Sequence, residues 1–321
     1  MRLDLFDRKI LLALDINARE HYSVIARKVG LSKNSVKRRV EALEKLGIIK
    51  GYRVQLDVGK LGLMSFRLML KFQNTNKKIE KKIFDYFKNN SLVCWLVEAE
   101  GYWNLNSWFL CKTLDDLSFF WLELQKKFNQ FIADKDLCVF IKVTFFPRVF
   151  LTNQKVNERE VTFISLPKKV SIDELDKKIL LLLTENARMS LIILAQKLSV
   201  SVKTVGARIK RMEKEKLIVG YYTFLDVNKL GYSYYKVNIN LQKITPELKE
   251  MKKSFKFEPN IVFDNELIAG NNLEIEIETD SKEKLFEIVN KIKQAYGSNI
   301  KDYQILEYLK EHKFIYFPSY L

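Results

Sequence analysis

The sequence is short of the residues that most often carry chemistry. It holds two histidines, His21 and His312, and three cysteines, Cys94, Cys111 and Cys138, among 321 residues. Three widely spaced cysteines exclude a disulfide framework or a close metal-binding pair. The histidines lie far apart, and no His/Cys/Asp/Glu cluster has metal-ligand spacing. No metal, no cofactor and no enzymatic activity is therefore expected. Long apolar runs are also missing, and no segment reaches the roughly 20 residues that span a bilayer. The opening stretch Met1–Lys9 contains acidic residues and does not read as a signal peptide. The expected location is the cytoplasm, associated with the nucleoid.

Positive charge is abundant, and it is uneven. The formal net charge is +16. Residues 1–169 carry 31 Lys/Arg and 18 Asp/Glu, net +13, against 24 and 21, net +3, for residues 170–321. Such a field suits a polyanionic partner. A general lysine bias accounts for part of the excess but not for the asymmetry.

The chain also repeats itself. Asp7–Leu14, DRKILLAL, returns as Asp176–Leu183, DKKILLLL, and Asn17-Ala-Arg19 returns as Asn186-Ala-Arg188. Gly51-Tyr52 returns as Gly220-Tyr221, and Asp57-Val58-x-Lys60-Leu61-Gly62 as Asp226-Val227-x-Lys229-Leu230-Gly231. Each pair is 169 residues apart. That period is far too long for a solenoid unit and marks a duplicated subunit.

Within each copy the first 50 residues read as three helices, the last two joined by a tight turn. Gly30 breaks the second helix. Ser32 is placed to cap the third, whose apolar face is Val36, Val40 and Leu43. The solvent side of that helix carries Lys33, Asn34, Lys37 and Arg38, with Ser32 and Ser35 at its start. A helix of this kind enters a DNA major groove, its first turn facing base edges. Asn34, Lys37 and Arg38 are the candidates for base contact, and Arg27, Lys50 and Arg53 for phosphate contact. In the second copy Ser201, Lys203, Thr204, Lys210 and Arg211 are the corresponding candidates. There Val202 replaces Lys33, Gly206 replaces Lys37 and Ala207 replaces Arg38, so weaker or different base reading is expected. A charged outer face is also what any solvated amphipathic helix shows.

Each helical unit is followed by strand-helix-strand-strand-helix-strand, the ferredoxin-like order. In the first copy these are 66–72, 77–88, 93–98, 104–110, 114–131 and 137–145. In the second they are 234–241, 247–255, 261–264, 274–278, 282–295 and 303–308. The fold class is α+β, a tandem of a winged-type helix-turn-helix domain and a ferredoxin-like βαββαβ domain. The boundaries are 1–52, 53–150, a linker at 151–171 with a strand-like piece near Val161, then 172–221 and 222–321. Stacking the two sheets would cover both bare faces. The four tryptophans, Trp95, Trp103, Trp108 and Trp121, read as core or interface packing.

These residues carry a resemblance. Asp7, Ile10-Leu11, Asn17-Ala-Arg19, Ile25-Ala26, Gly30-Leu31-Ser32, Val36, Arg39-Val40, Gly47 and Gly51-Tyr52 resemble the Lrp/AsnC family of transcriptional regulators. Asp176, Asn186-Ala-Arg188, Leu194-Ala195, Ser201, Val205, Arg208-Ile209 and Gly220-Tyr221 match it again. The resemblance implies double-stranded DNA as partner, dimerisation through the sheets and small effectors at interfaces between units. Here it implies an intramolecular pseudodimer, with further self-association left open. It also points to the loops at Gly101, Trp103 and Asn104 and at Gly270 and Asn272 as an effector site. The family's Gly-x-x-Asp is absent from both loops, which puts capture of a free amino acid by its ammonium in doubt.

Two other classes share the pattern. Sirohaem decarboxylases have the same two-domain build, so the fold does not exclude chemistry. A non-regulatory architectural DNA-binding protein is the remaining alternative, favoured by the degraded basic face of the second copy.

Overall fold

Two helical domains sit on a strand ribbon above a closed barrel, and each level is shared between the two copies. The computed structural model describes residues 3–152, 160–164, 166–243, 247–315 and 317. The first helical domain is α1 (Leu5–Ile16), α2 (Tyr22–Val29) and α3 (Lys33–Lys45). A capping box starts α1: the Asp4 carboxylate accepts the Asp7 amide at 2.9 Å, and the Asp7 carboxylate accepts the Asp4 amide at 3.2 Å. Both exposed amide donors of the first turn are thereby satisfied. Ile10, Leu11 and Leu14 are fully buried, each contributing roughly 1.5–3 kcal/mol of burial. The second domain repeats this with α6 (Glu174–Glu185), α7 (Leu191–Leu198) and α8 (Val202–Lys214), and Asp173 and Asp176 form the same box.

Each helical domain leads into one strand of a two-stranded antiparallel ribbon, β1 (Ile49–Leu56) and β7 (Ile218–Leu225). Helix α1 packs on β7, and α6 on β1, so each helical domain rests on the other copy's strand. The contacts are reciprocal. The Ala18 amide donates to the Tyr221 carbonyl at 2.8 Å, and the Ala187 amide to the Tyr52 carbonyl at 3.0 Å. This is the self-complementary pattern of a twofold dimer interface, here inside one chain.

The rest of the chain supplies β2 (Met64–Phe72), α4 (Lys77–Asn89), β3 (Val93–Glu100), β4 (Leu105–Cys111), α5 (Leu114–Phe128) and β5 (Ile132–Phe145). The second copy supplies β8 (Ser233–Leu241), α9 (Glu247–Phe255), β9 (Ile261–Ile268), β10 (Leu273–Thr279), α10 (Lys282–Tyr296) and β11 (Ile300–Phe314). Each half has the ferredoxin-like order expected. The two sheets are more than stacked. They join at both edges, in the order β2-β4-β3-β11-β8-β10-β9-β5, and β5 pairs back onto β2.

The joints lie in two long strands. β5 pairs first with its own β2, over 132–139, and then with β9 of the other half. β11 pairs first with its own β8 and then, from Glu307 onward, with β3 of the first half. β6 (Val161–Ile164) lies on β5 beyond the end of β2, the sheet-edge docking expected for this piece of the linker. Linker residues 153–159 fall outside the described residues. Closure leaves no free barrel edge.

Helices α4 and α5 cover the first half's outer face over Phe66, Leu68, Phe87, Phe109 and Phe120. Helices α9 and α10 cover the second over Val237, Ile275, Ile277, Ile288 and Val289. The alternate residues of the same strands point into the barrel, and many of them are polar. Arg67, Asn106, Lys236, Asn238, Asn265, Glu274 and Glu276 are all buried.

Candidate nucleic-acid interface and central cavity

The reading helix is held by its neighbours. Gly30 ends α2 in the left-handed conformation, φ 74°, which glycine adopts without strain. Ser32 then caps α3, its hydroxyl accepting the Ser35 amide at 3.1 Å. Val36, Val40 and Leu43 are buried, which turns Lys33, Asn34, Lys37 and Arg38 outward; all four are exposed. Among the described residues none lies within bonding distance of the side chains of Lys33, Asn34 or Arg38. Lys37 faces Glu41 at 3.8 Å across solvent, a contact worth a few tenths of a kcal/mol.

Arg39 has a different task. Its guanidinium reaches Asp7 at 2.6 Å and Asp4 at 2.9 Å, locking α3 to the start of α1. The bond to Asp7 holds Arg39 above its ordinary value. Arg27 is exposed on α2. Lys50 and Arg53 are engaged on the ribbon instead. Lys50 pairs with Asp226 at 3.0 Å. Arg53 donates to the Glu185 carbonyl at 3.1 Å.

The second reader is built alike and presents a different surface. Ser201 caps α8, accepting the Thr204 amide at 3.0 Å. Lys203 and Lys210 are exposed. Arg211 is engaged within its own domain: it pairs with the fully buried carboxylate of Asp176 and donates to the Ser171 carbonyl at 3.3 Å. Its counterpart in the first copy is Ala42, so Arg211 helps Arg208 to lock α8 onto α6. Val202, Ile192 and Ile193 are exposed where a basic face was weak by sequence.

The two readers are tied across the pseudo-twofold. The Arg19 guanidinium donates to the Ala187 carbonyl at 2.5 Å, and Arg188 to the Ala18 carbonyl. Each lies over the other copy's tyrosine, Arg19 on Tyr221 and Arg188 on Tyr52, at 5.3 Å from the ring centre. Each tyrosine hydroxyl donates to a glutamate of its own copy's reading helix or its end, Tyr52 to Glu44 at 2.6 Å and Tyr221 to Glu213 at 2.7 Å.

The loops named as an effector site serve the fold. A Cβ on Gly101 would lie 2.8 Å from the Ile305 carbonyl, and one on Gly270 would meet the Cys138 sulfur and Arg67. Trp103 is buried against Met69 and Leu306. Asn104 and Asn272 act as equivalents, each accepting a strand amide, Phe72 at 2.8 Å and Leu241 at 2.7 Å.

A cavity of about 180 Å³ opens instead between the ribbon and the barrel mouth. Trp95, Trp108, Phe140, Phe163, Tyr222, Phe224, Phe263, Tyr308 and Phe314 form its walls. Its polar floor is Arg148, Tyr234, Asn265, Glu276 and Glu278. Sequence reasoning missed this site. The signal was the alternation Leu273-Glu-Ile-Glu-Ile-Glu278, whose acids are buried.

Floor and lumen form one charged network. Arg148 donates to Glu278 at 2.7 and 2.8 Å and to Asp15 at 2.8 Å. Burial pushes the carboxyls of Asp15 and Glu278 up, against the opposing pull of Arg148. Glu274 lies between Arg67 and Lys236, with Lys236 at 2.9 Å. Burial raises it too, but the two cations win and hold it at about 2. Glu276 accepts from Tyr234 and from Asn265 at 3.2 Å, and lies 3.4 Å from Lys236. Among the described residues no three metal-ligating side chains cluster, and no helix is long and apolar enough to cross a membrane.

Comparison with known proteins bears on the helical domains and on the whole fold. The family model described as the AsnC-type helix-turn-helix domain matches residues 3–44 and again 172–213. The proline dehydrogenase transcriptional activator of Rhodobacter capsulatus is 48% identical over 62 residues, 19% of this chain and 40% of that protein. The transcriptional regulator LrpA of Pyrococcus horikoshii is 43% identical over 60 residues, 19% of this chain and 43% of its own length. The chain thus spans about two fifths of the length of these relatives. Over the whole molecule, the crystal structure of the siroheme decarboxylase NirDL is similar with a TM-score of 0.63 at 15% identity, covering 99% of this chain and 95% of that one. The expectation of no enzymatic activity is corrected by this likeness. The fused two-copy architecture found here is the architecture of an enzyme in that protein, so poverty in histidine was not a sound ground for excluding catalysis.

Proposed function

We propose, on the premise that this chain is a tandem protein of the Lrp/AsnC type, that it is a sequence-specific DNA-binding transcriptional regulator with two unequal readers. The observation that carries the proposal is the outer face of α3. Four residues able to contact bases or phosphates, Lys33, Asn34, Lys37 and Arg38, are exposed together on a capped helix whose opposite face is fully packed. The named relatives, matched over this same region, are transcriptional regulators. The second reader offers Lys203 and Lys210 with the apolar Val202 and Ala207 on the same helix, which suits phosphate contact with less base discrimination. Such a protein resides on the nucleoid.

The test is binding of the full chain to DNA selected from a random pool, followed over a range of salt. Affinity should fall steeply with salt. Changing Lys37 and Arg38 together to alanine should weaken specific binding by at least about tenfold, since each good base contact is worth about 1–3 kcal/mol. An asymmetric selected site fits one chain with two different readers. Unchanged binding by the double variant would refute the proposal.

A second reading is favoured by the whole-chain likeness to NirDL: chemistry on a tetrapyrrole in the central cavity. A related structure of that enzyme holds an iron-uroporphyrin III analogue. The acids that line the cavity, Asp226, Glu276, Glu278 and Glu311, stand beside Lys50, Arg148 and Lys310, so charge alone does not decide against a polycarboxylate. A shifted visible absorption band on mixing the chain with an iron-uroporphyrin would support this reading.

A further inference from the structure

The barrel network does not balance. Its cations are Arg67, Lys236 and Arg148, and the carboxylates paired with them are Asp15, Asp136, Glu274, Glu276 and Glu278. Three positive charges face five acids. Uncompensated buried charge costs several kcal/mol; a proton can relieve it at Asp15 and Glu278, which burial pushes up, and a cation from outside can relieve it at an acid open to the cavity. Glu276 is the acid it can reach. It lines the cavity, and Asn265 and Tyr234 donate to its oxygens and hold it in place. The charges at the cavity mouth offset one another, Lys50 and Lys310 against Asp226 and Glu311.

The walls suit the same occupant. Trp95 and Tyr308 meet edge to face at 5.3 Å, and Tyr234 and Tyr308 at 4.8 Å. Faces of Trp, Tyr and Phe attract organic cations, and rings around a carboxylate make the usual cage for an ammonium group. The volume, about 180 Å³, is close to the roughly 150 Å³ of an apolar cavity that admits benzene.

We propose that this cavity binds a small organic cation, an amine carried on a single apolar ring, with its ammonium on Glu276 and its ring among Trp95, Trp108 and Phe263. The site goes beyond the DNA reading and does not rest on it, because its walls and floor lie in the ribbon and barrel and include no residue of α3 or α8.

The experiment compares three probes of one shape on the full chain: benzylamine, benzyl alcohol and benzoate. Binding is followed by tryptophan fluorescence, since Trp95 and Trp108 line the cavity, and by calorimetry. Benzylamine should bind saturably and at least about tenfold more tightly than either of the others. Glu276→Gln, shown to be folded by circular dichroism and melting, should reduce the amine to the level of the alcohol. If that variant fails to fold, the three-probe comparison on the unaltered chain decides alone. Equal or tighter binding of benzoate or benzyl alcohol, no saturable binding of benzylamine, or a folded Glu276→Gln chain that keeps its preference for the amine would each overturn the proposal. Loss of DNA binding leaves this result untouched, and the two proposals fail separately.

Discussion

Arg148, which follows β5 of the first half, and Glu278, on β10 of the second, are joined by two parallel hydrogen bonds of 2.7 and 2.8 Å. The same guanidinium reaches Asp15 on α1, so one side chain connects a reader domain to both halves of the barrel.

Removing it should be costly. Arg148→Met leaves Asp15 and Glu278 buried without their cation, and a loss of about 3–5 kcal/mol is expected. Arg148→Lys should recover part of this and not all, because an ammonium cannot make the paired bonds. Denaturant unfolding of the three proteins measures both differences.

Asp264 gives a pH dependence of definite sign. Its carboxyl sits in the wall beside Lys252 at 3.6 Å, with Glu266 and Lys142 nearby. Burial raises it to about 6, although Lys252 pulls the other way. The folded chain therefore holds a proton that the unfolded chain releases near pH 4. The stability this gives is full below pH 4 and is lost as pH rises to about 6. Asp264→Asn should raise the melting temperature at pH 7, by the equivalent of about 3 kcal/mol, and have little effect at pH 4.

Two glycines with positive φ should differ in their tolerance. Gly30 has φ 74° and open space where a Cβ would go, whereas Gly101 has φ 134° and a carbonyl oxygen 2.8 Å away. Gly30→Ala should cost about 1 kcal/mol from the left-handed backbone alone. Gly101→Ala should cost clearly more, because the obstructing atom is backbone. Thermal melting of both variants checks the order.

Restoring the second reader should be visible on DNA. Val202→Lys with Ala207→Arg copies Lys33 and Arg38 onto α8, where both positions are exposed. Total affinity should rise, and the salt dependence should steepen by roughly two phosphate contacts.

How far the sequence reached can be judged at particular residues. The helical domains were legible because Ser32 and Ser201, Gly30, and the spacing of Val36, Val40 and Leu43 act within one turn or one helix. The ferredoxin-like order followed from strand and helix periods. Pairing of β1 with β7, and of β3 with β11, joins residues more than 150 positions apart, and no local pattern encodes such partners. Glu274 and Glu276 show the limit most clearly. Alternation with isoleucine marks two faces of a strand, but which face meets solvent depends on the sheet that closes over it. Lys50 and Arg211 show a similar limit: a basic residue in a list of surface charges can also have a partner in the fold, here Asp226 and Asp176.

The closed barrel also has a social consequence. Its two joints, β3 with β11 and β5 with β9, close the barrel between the two halves. Dimers made from separate chains come apart on dilution and trade partners with their relatives. This assembly has no dissociation constant between its halves, so the pairing of its two helical domains does not depend on concentration.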